Sequence, residues 1–137
     1  LQKQTQETII SLEKAIELNP DNSTALCLLG GVLNEQNNPE CVSYYEKSLE
    51  KNENCYLAYR GLGNFYLKNQ KFDKSEENYT LAIKINENRF GPIYKNRGYV
   101  RQQQNKMDDA KQDYQNYIKF TPNAKDRGMI ERALTEM

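Results

Sequence analysis

Three cysteines, Cys27, Cys41 and Cys55, and a complete lack of histidine decide what chemistry this chain of 137 residues can do. Without histidine it loses the commonest general base, the commonest metal ligand and every Ser–His or Cys–His nucleophile pair. The cysteines stand too far apart for the Cys-x-x-Cys pairs of a zinc site, and an odd number does not make a disulfide framework. They read as buried or half-buried thiols in a reducing, cytoplasmic setting. There is also no phosphate-binding loop and no carboxylate pair set for acid–base work. The expectation is a non-catalytic protein with no cofactor and no metal.

Charge narrows the choice of partner. The 19 basic and 19 acidic residues cancel, so nothing draws the whole molecule to a phosphate backbone or an anionic membrane. Neither nucleic-acid binding nor membrane insertion is expected, since no apolar run approaches the roughly 18 to 20 residues that cross a bilayer. The length suits one domain. A start at Leu1-Gln2-Lys3-Gln4, with no initiating Met and no apolar leader, reads as a piece of a longer protein.

The elements that must position any binding residues repeat along the chain. Leu29-Gly30, Leu62-Gly63 and Arg97-Gly98 recur at intervals of 33 and 35, and Tyr45, Tyr79 and Tyr114 at intervals of 34 and 35. Four places before each tyrosine stands Cys41, Ser75 or Ala110, and three places after it Ser48, Ala82 or Tyr117. Small residues facing large ones at helical spacing let two antiparallel helices approach closely. That contact gives the helical glycines a reason to be there, because each costs about 1 kcal/mol relative to alanine. Turn signals at Asn19-Pro20-Asp21-Asn22, Asn37-Asn38-Pro39, Asn52-Glu53-Asn54, Asn86-Glu87-Asn88 and Thr121-Pro122-Asn123 separate the helices, with Asn38 a candidate N-cap. Eight helices are predicted, near 2–18, 23–36, 39–51, 56–69, 72–85, 91–104, 108–119 and 124–135.

The pattern Tyr59-x2-Leu62-Gly63-x2-Tyr66, then Ser75-x3-Tyr79-x2-Ala82, resembles the tetratricopeptide repeat. The last unit keeps Tyr94, Gly98, Ala110, Tyr114 and Pro122 but has Arg97 and Arg101 where Leu and Tyr are expected, and Glu87 stands where the family prefers Pro. The first unit matches through Leu26, Leu29, Gly30 and Leu33, and Leu12, Ala15, Ile16 and Pro20 resemble the second half of a preceding unit. The resemblance implies an all-α, right-handed superhelical array. It divides as a half repeat over 1–21, repeats over 22–55, 56–90 and 91–123, and a capping helix over 124–137.

Such an array implies a groove lined by the first helix of each unit, which holds a peptide or helix of a partner protein. Those helices carry a balance of +4, from Glu35 against Arg60, Lys68, Lys95, Arg97 and Arg101, while the second helices total −3. An acidic or C-terminal peptide is therefore the expected ligand. Helical projection places Thr24, Cys27, Gly31, Asn34, Leu57, Arg60, Asn64, Leu67, Lys95, Tyr99 and Gln102 in the groove. The expected binding residues are Arg60, Asn64, Lys95 and Asn96 as a polar centre with Leu57 and Tyr99 as apolar anchors. Arg97 replaces a core leucine and needs a counter-ion, for which Asp113 is the candidate. The resemblance also admits a carboxylate clamp like that of chaperone-binding relatives, with Arg60, Asn64 and Asn96 matching its first three places and Asp126 and Ile130 failing its last two. A rival reading makes the chain a structural subunit of a larger assembly, its outer wall making contact through an exposed Phe90.

Overall fold

The computed structural model describes residues 1–86 and 90–137, and the described residues form eight helices and no strand. These are α1 (Gln2–Leu18), α2 (Ser23–Glu35), α3 (Cys41–Lys51), α4 (Tyr56–Lys68), α5 (Phe72–Asn86), α6 (Gly91–Gln103), α7 (Met107–Phe120) and α8 (Arg127–Glu136). Contact is strongest within the pairs α2/α3, α4/α5 and α6/α7, and α2 also touches α4 directly. Of the predicted turn at Asn86-Glu87-Asn88, residues 87 and 88 lie outside the described residues, and so does the departure at Glu87.

Local chemistry sets the helix ends. Asn22 caps α2, its side chain accepting the Ala25 N–H at 3.0 Å, an arrangement that contributes about 1 kcal/mol. Helix α3 begins at Cys41 rather than at 39. Its approach is a tight turn in which the Asn38 side chain accepts the Glu40 N–H at 3.0 Å and the Cys41 N–H reaches back to the Asn38 carbonyl at 3.1 Å. Helices α2, α4 and α6 all end the same way, with Asn37, Gln70 and Asn105 in the left-handed region at φ 52°, 59° and 60°. The next N–H in each case returns to a carbonyl five residues earlier: Asn38 to Leu33, Lys71 to Tyr66 and Lys106 to Arg101, at 2.8–2.9 Å. This closes the helix end and turns the chain into its partner helix.

The predicted glycine–tyrosine contact is present in every repeat. A methyl group added at Gly30, Gly63 or Gly98 would meet the ring of Tyr45, Tyr79 or Tyr114 at 2.9, 2.6 and 3.1 Å. Tyr45, Tyr79, Tyr94 and Tyr114 are buried, and Tyr59 and Tyr66 are half-buried. One contact was not foreseen: Tyr45 crosses from its own repeat to Gly61 of the next, where an added Cβ would lie within 2.6 Å of its Cε1. The core forms two clusters, one around Leu29, Leu33, Cys41, Tyr45, Leu62 and Phe65, the other around Tyr79, Ile93, Tyr94, Val100 and Tyr117.

Arg97 has the counter-ion the sequence demands. Its Nε and Nη2 donate to the two carboxylate oxygens of fully buried Asp113 at 2.9 and 2.7 Å. Arg101 donates to the same carboxylate at 3.0 Å and lies 3.5 Å from Glu76, which Lys106 also holds, at 2.9 Å.

Candidate functional site

Helices α2, α4 and α6 line a groove floored by the hydroxyls of the repeat tyrosines. Each ring sits in the core, and each hydroxyl emerges against a groove amide. Tyr45 accepts from Asn34 Nδ2 at 3.3 Å, Tyr79 donates to Asn64 Oδ1 at 2.5 Å and also meets Asn96, and Tyr114 donates to Gln102 at 3.0 Å. Burial raises the phenol pKa of all three, to about 12 at Tyr45 and Tyr114. The sequence pattern identified these tyrosines by their rings, because spacing reports packing faces and carries no signal of where a hydroxyl ends.

Between α2 and α4 lies a cavity of about 310 Å³, lined among others by Cys27, Asn34, Leu57, Arg60 and Asn64. A second, of about 370 Å³, continues between α4 and α6 past Asn64, Leu67, Lys68 and Asn96. The structure thus brings Leu57, Arg60, Asn64 and Asn96 to one continuous surface. Lys95 and Tyr99 line neither cavity, and Tyr99 is exposed on α6. Leu28 faces Leu57 across the first cavity, and both are exposed. Asn34 is the deepest polar group there. Its amide nitrogen donates to the Gly61 carbonyl at 3.0 Å, while its Oδ1 is buried without a donor. A buried acceptor left unmet costs about 1–3 kcal/mol.

The charges arrange themselves differently from the +4 read along the first helices. Arg97 and Arg101 turn away from the groove into the Asp113–Glu76 cluster. Lys95 is bound to Asp126 at 2.8 Å, which raises the pKa of the ammonium and lowers that of the carboxyl. Lys68 donates to the Asn34 carbonyl at 2.7 Å, at the negative end of α2. Arg60 remains. Its guanidinium lies against the rings of Tyr56 and Phe90, 5.7 and 5.0 Å from their centroids, and makes no ion pair among the described residues. Phe90 is not the exposed residue the sequence suggested. It is half-buried, edge-on to Tyr56 at 6.3 Å, because Arg60 covers it.

The cysteines are free thiols. Cys55 precedes α4 at its N-cap, and a hydrogen bond from Cys27 brings its pKa down to about 5, while that bond and burial push Cys27 up. Among the described residues no cluster of three or more Cys, Asp or Glu side chains could hold a metal, and no helix is long and apolar enough to cross a membrane.

Residues 58–89 match the tetratricopeptide repeat family. Most of the chain, 87–98% of it, superposes on solved tetratricopeptide structures. The crystal structure of MamA matches with a TM-score of 0.78 at 19% identity, over 93% of this chain and 78% of that one. YrrB, described as "a TPR protein with an unusual peptide-binding site", gives 0.79 at 21%, over 87% and 63%. PilF of Pseudomonas aeruginosa gives 0.87 at 18%, over 98% and 62%. The chain has the tetratricopeptide-repeat fold. It therefore spans less than two thirds of the YrrB and PilF chains, and a search of curated proteins found no match.

Proposed function

We propose that this tetratricopeptide array is a non-catalytic scaffold that holds an extended acidic segment of another protein in the groove of α2, α4 and α6. The observation that carries this reading is Arg60. A guanidinium kept in place by two aromatic rings, with no ion pair among the described residues, is pre-organised for a carboxylate and loses little freedom on binding one. Leu28 and Leu57 offer an apolar side chain a place beside it, Asn64 and Asn96 continue the surface, and Tyr99 is exposed on α6. Lys95 belongs to the same reading as a cation already paired. The peptide-binding site named for YrrB supports a peptide as the ligand, and three free thiols suit a reducing compartment.

A carboxylate clamp of the chaperone-binding kind has less support, since Asp126 brings an acid to the place where that clamp needs a cation. The reading as an assembly subunit had rested on Phe90, which is packed inward. Titrating a fluorescein-labelled hexaglutamate peptide into the protein tests the proposal. Arg60→Glu should weaken capture at least about thirtyfold, as expected for a charge contact of roughly 2 kcal/mol or more, while the melting temperature stays within a few degrees. Equal capture by both proteins rejects it.

A further inference from the structure

At Lys95 on α6, two donors of the protein converge on the side chain of Asp126. Tyr117 occupies the place where the preceding repeats have Ser48 and Ala82. Its ring is buried, and its hydroxyl passes out to the groove to donate to Asp126 Oδ1 at 2.6 Å. Lys95 stands one repeat beyond Arg60, in the same register as Gly98 to Gly63, and donates to the other oxygen, Oδ2, at 2.8 Å. Its ammonium also lies 5.1 Å from the centroid of the Tyr117 ring. Two donors from two helices thus converge on the two oxygens of one carboxylate, the geometry a site for a carboxylic acid requires.

The element that delivers Asp126 is lightly held. Asp126 is the N-cap of α8, which has no buried residue; only Ala124, just before it, and Ile130 pack against the core, and Met129 points to solvent. Few buried apolar contacts mark a segment that opens at low free-energy cost. Arg60 and Lys95 are therefore equivalent cations in different states, one open and one covered by an internal acid.

We propose that Lys95 and Tyr117 form a second carboxylate-binding subsite, masked by Asp126, which an acidic residue of the bound peptide takes over by displacing the start of α8. The inference rests on the reading of the groove as an acidic-peptide site and adds a second contact to it. Release of Asp126 costs the peptide the internal pair, so the wild-type protein binds less tightly than its two cations would allow.

Hexaglutamate titrations on the full chain separate the two ideas, because a run of contiguous acids offers a carboxylate at every residue over a reach of about 20 Å. Asp126→Asn should raise affinity about five- to tenfold, and adding Lys95→Gln to it should remove the gain. Because Asp126→Asn can also loosen α8, amide hydrogen exchange on the wild-type protein gives an independent reading: saturating peptide should speed exchange in residues 126–131 by about threefold or more, as expected of a displaced segment. Unchanged or weaker binding by Asp126→Asn, or unchanged exchange at saturation, overturns the masked subsite. If Arg60→Glu still abolishes capture in that case, the groove reading survives without it. If hexaglutamate binds only after Asp126→Asn, the masked subsite stands and the Arg60 reading falls. Binding to neither protein rejects both.

Discussion

The repeat built on α4 and α5 and the one built on α6 and α7 share a backbone plan but hold it together by different means. In the first, Leu62 sits in an apolar core and Arg60 makes no ion pair among the described residues. In the second, Arg97 stands in the place of Leu62, and each of its cations at 95, 97 and 101 is tied to a carboxylate. One repeat uses burial for stability and keeps a charge available, while the other spends its charges internally. Electrostatic complementarity can only serve a partner where it is not already satisfied, so the proposed site is open in one repeat and covered in the next.

The largest expected effect tests that difference at Asp113. Removing it with Asp113→Ala leaves Arg97 and Arg101 facing each other beside the core, and breaking such a buried pair typically costs about 3–5 kcal/mol. Chemical denaturation should show that loss. Adding Arg97→Leu, the residue found at the matching place in the preceding repeat, should recover most of it. A double variant as unstable as Asp113→Ala would mean that the second repeat depends on its ion cluster for more than charge balance.

The next effect lies at the boundary between the first two repeats. Gly61→Ala would place a methyl group against Tyr45, which is buried and cannot turn away. Overpacking of this kind costs about 2–3 kcal/mol. Gly98→Ala meets Tyr114 and Asp113 only at 3.1–3.2 Å, and the better helix propensity of alanine offsets about 1 kcal/mol of the strain. Thermal melts of the two variants should differ clearly; equal losses would show that Tyr45 adjusts as freely as Tyr114.

How much of this could be read beforehand follows from what a period records. A repeat of 33 to 35 residues reports which face of each helix is buried, so the eight helices, their pairing and the Gly30, Gly63 and Gly98 contacts were all legible in the residues. Arg97 was legible for a related reason: a charge at a core place demands a partner, and Asp113 was the acid in reach. The groove charge was not. A count along the first helices treats side chains as if they pointed outward, whereas Arg97 and Arg101 reach inward and Lys95 reaches along the groove to Asp126, contacts that depend on side-chain direction and not on spacing. The contact of Tyr45 with Gly61 was hidden likewise, since it joins two repeats, whereas the glycine–tyrosine pattern reports packing within one.

Acid should loosen α8 before it loosens the repeat built on α4 and α5. The Asp126 carboxyl is lowered below its ordinary pKa of 3.8 by the hydrogen bond from Lys95, and then by that from Tyr117. A carboxyl lowered in the folded state stabilises the fold fully above its unfolded pKa and gives that up as the pH falls through the folded value. The contact holding α8 to α6 is thus intact from neutral pH down to about 4 and fails below it. As a partly exposed pair it contributes about 1 kcal/mol or less. Amide exchange in α8 should accelerate below pH 4 before that in α4, and high salt should mimic part of the change. Simultaneous acceleration in both helices would show that α8 is no more weakly held than α4.

The smallest effect has the opposite sign. Asn37, Gln70 and Asn105 hold the same left-handed place at the ends of α2, α4 and α6. Asparagine adopts that conformation with less strain than glutamine, because its short side chain finds local hydrogen bonds there. Glycine has no such strain but loses more freedom on folding, which returns part of the gain. Gln70→Gly should therefore stabilise the protein by about 0.5 kcal/mol, and Asn37→Gly and Asn105→Gly by less, a ranking that matched thermal melts can read. If all three variants lose stability alike, the closing bonds from Asn38, Lys71 and Lys106, and not the side chain at the turn, set the energy of these helix ends.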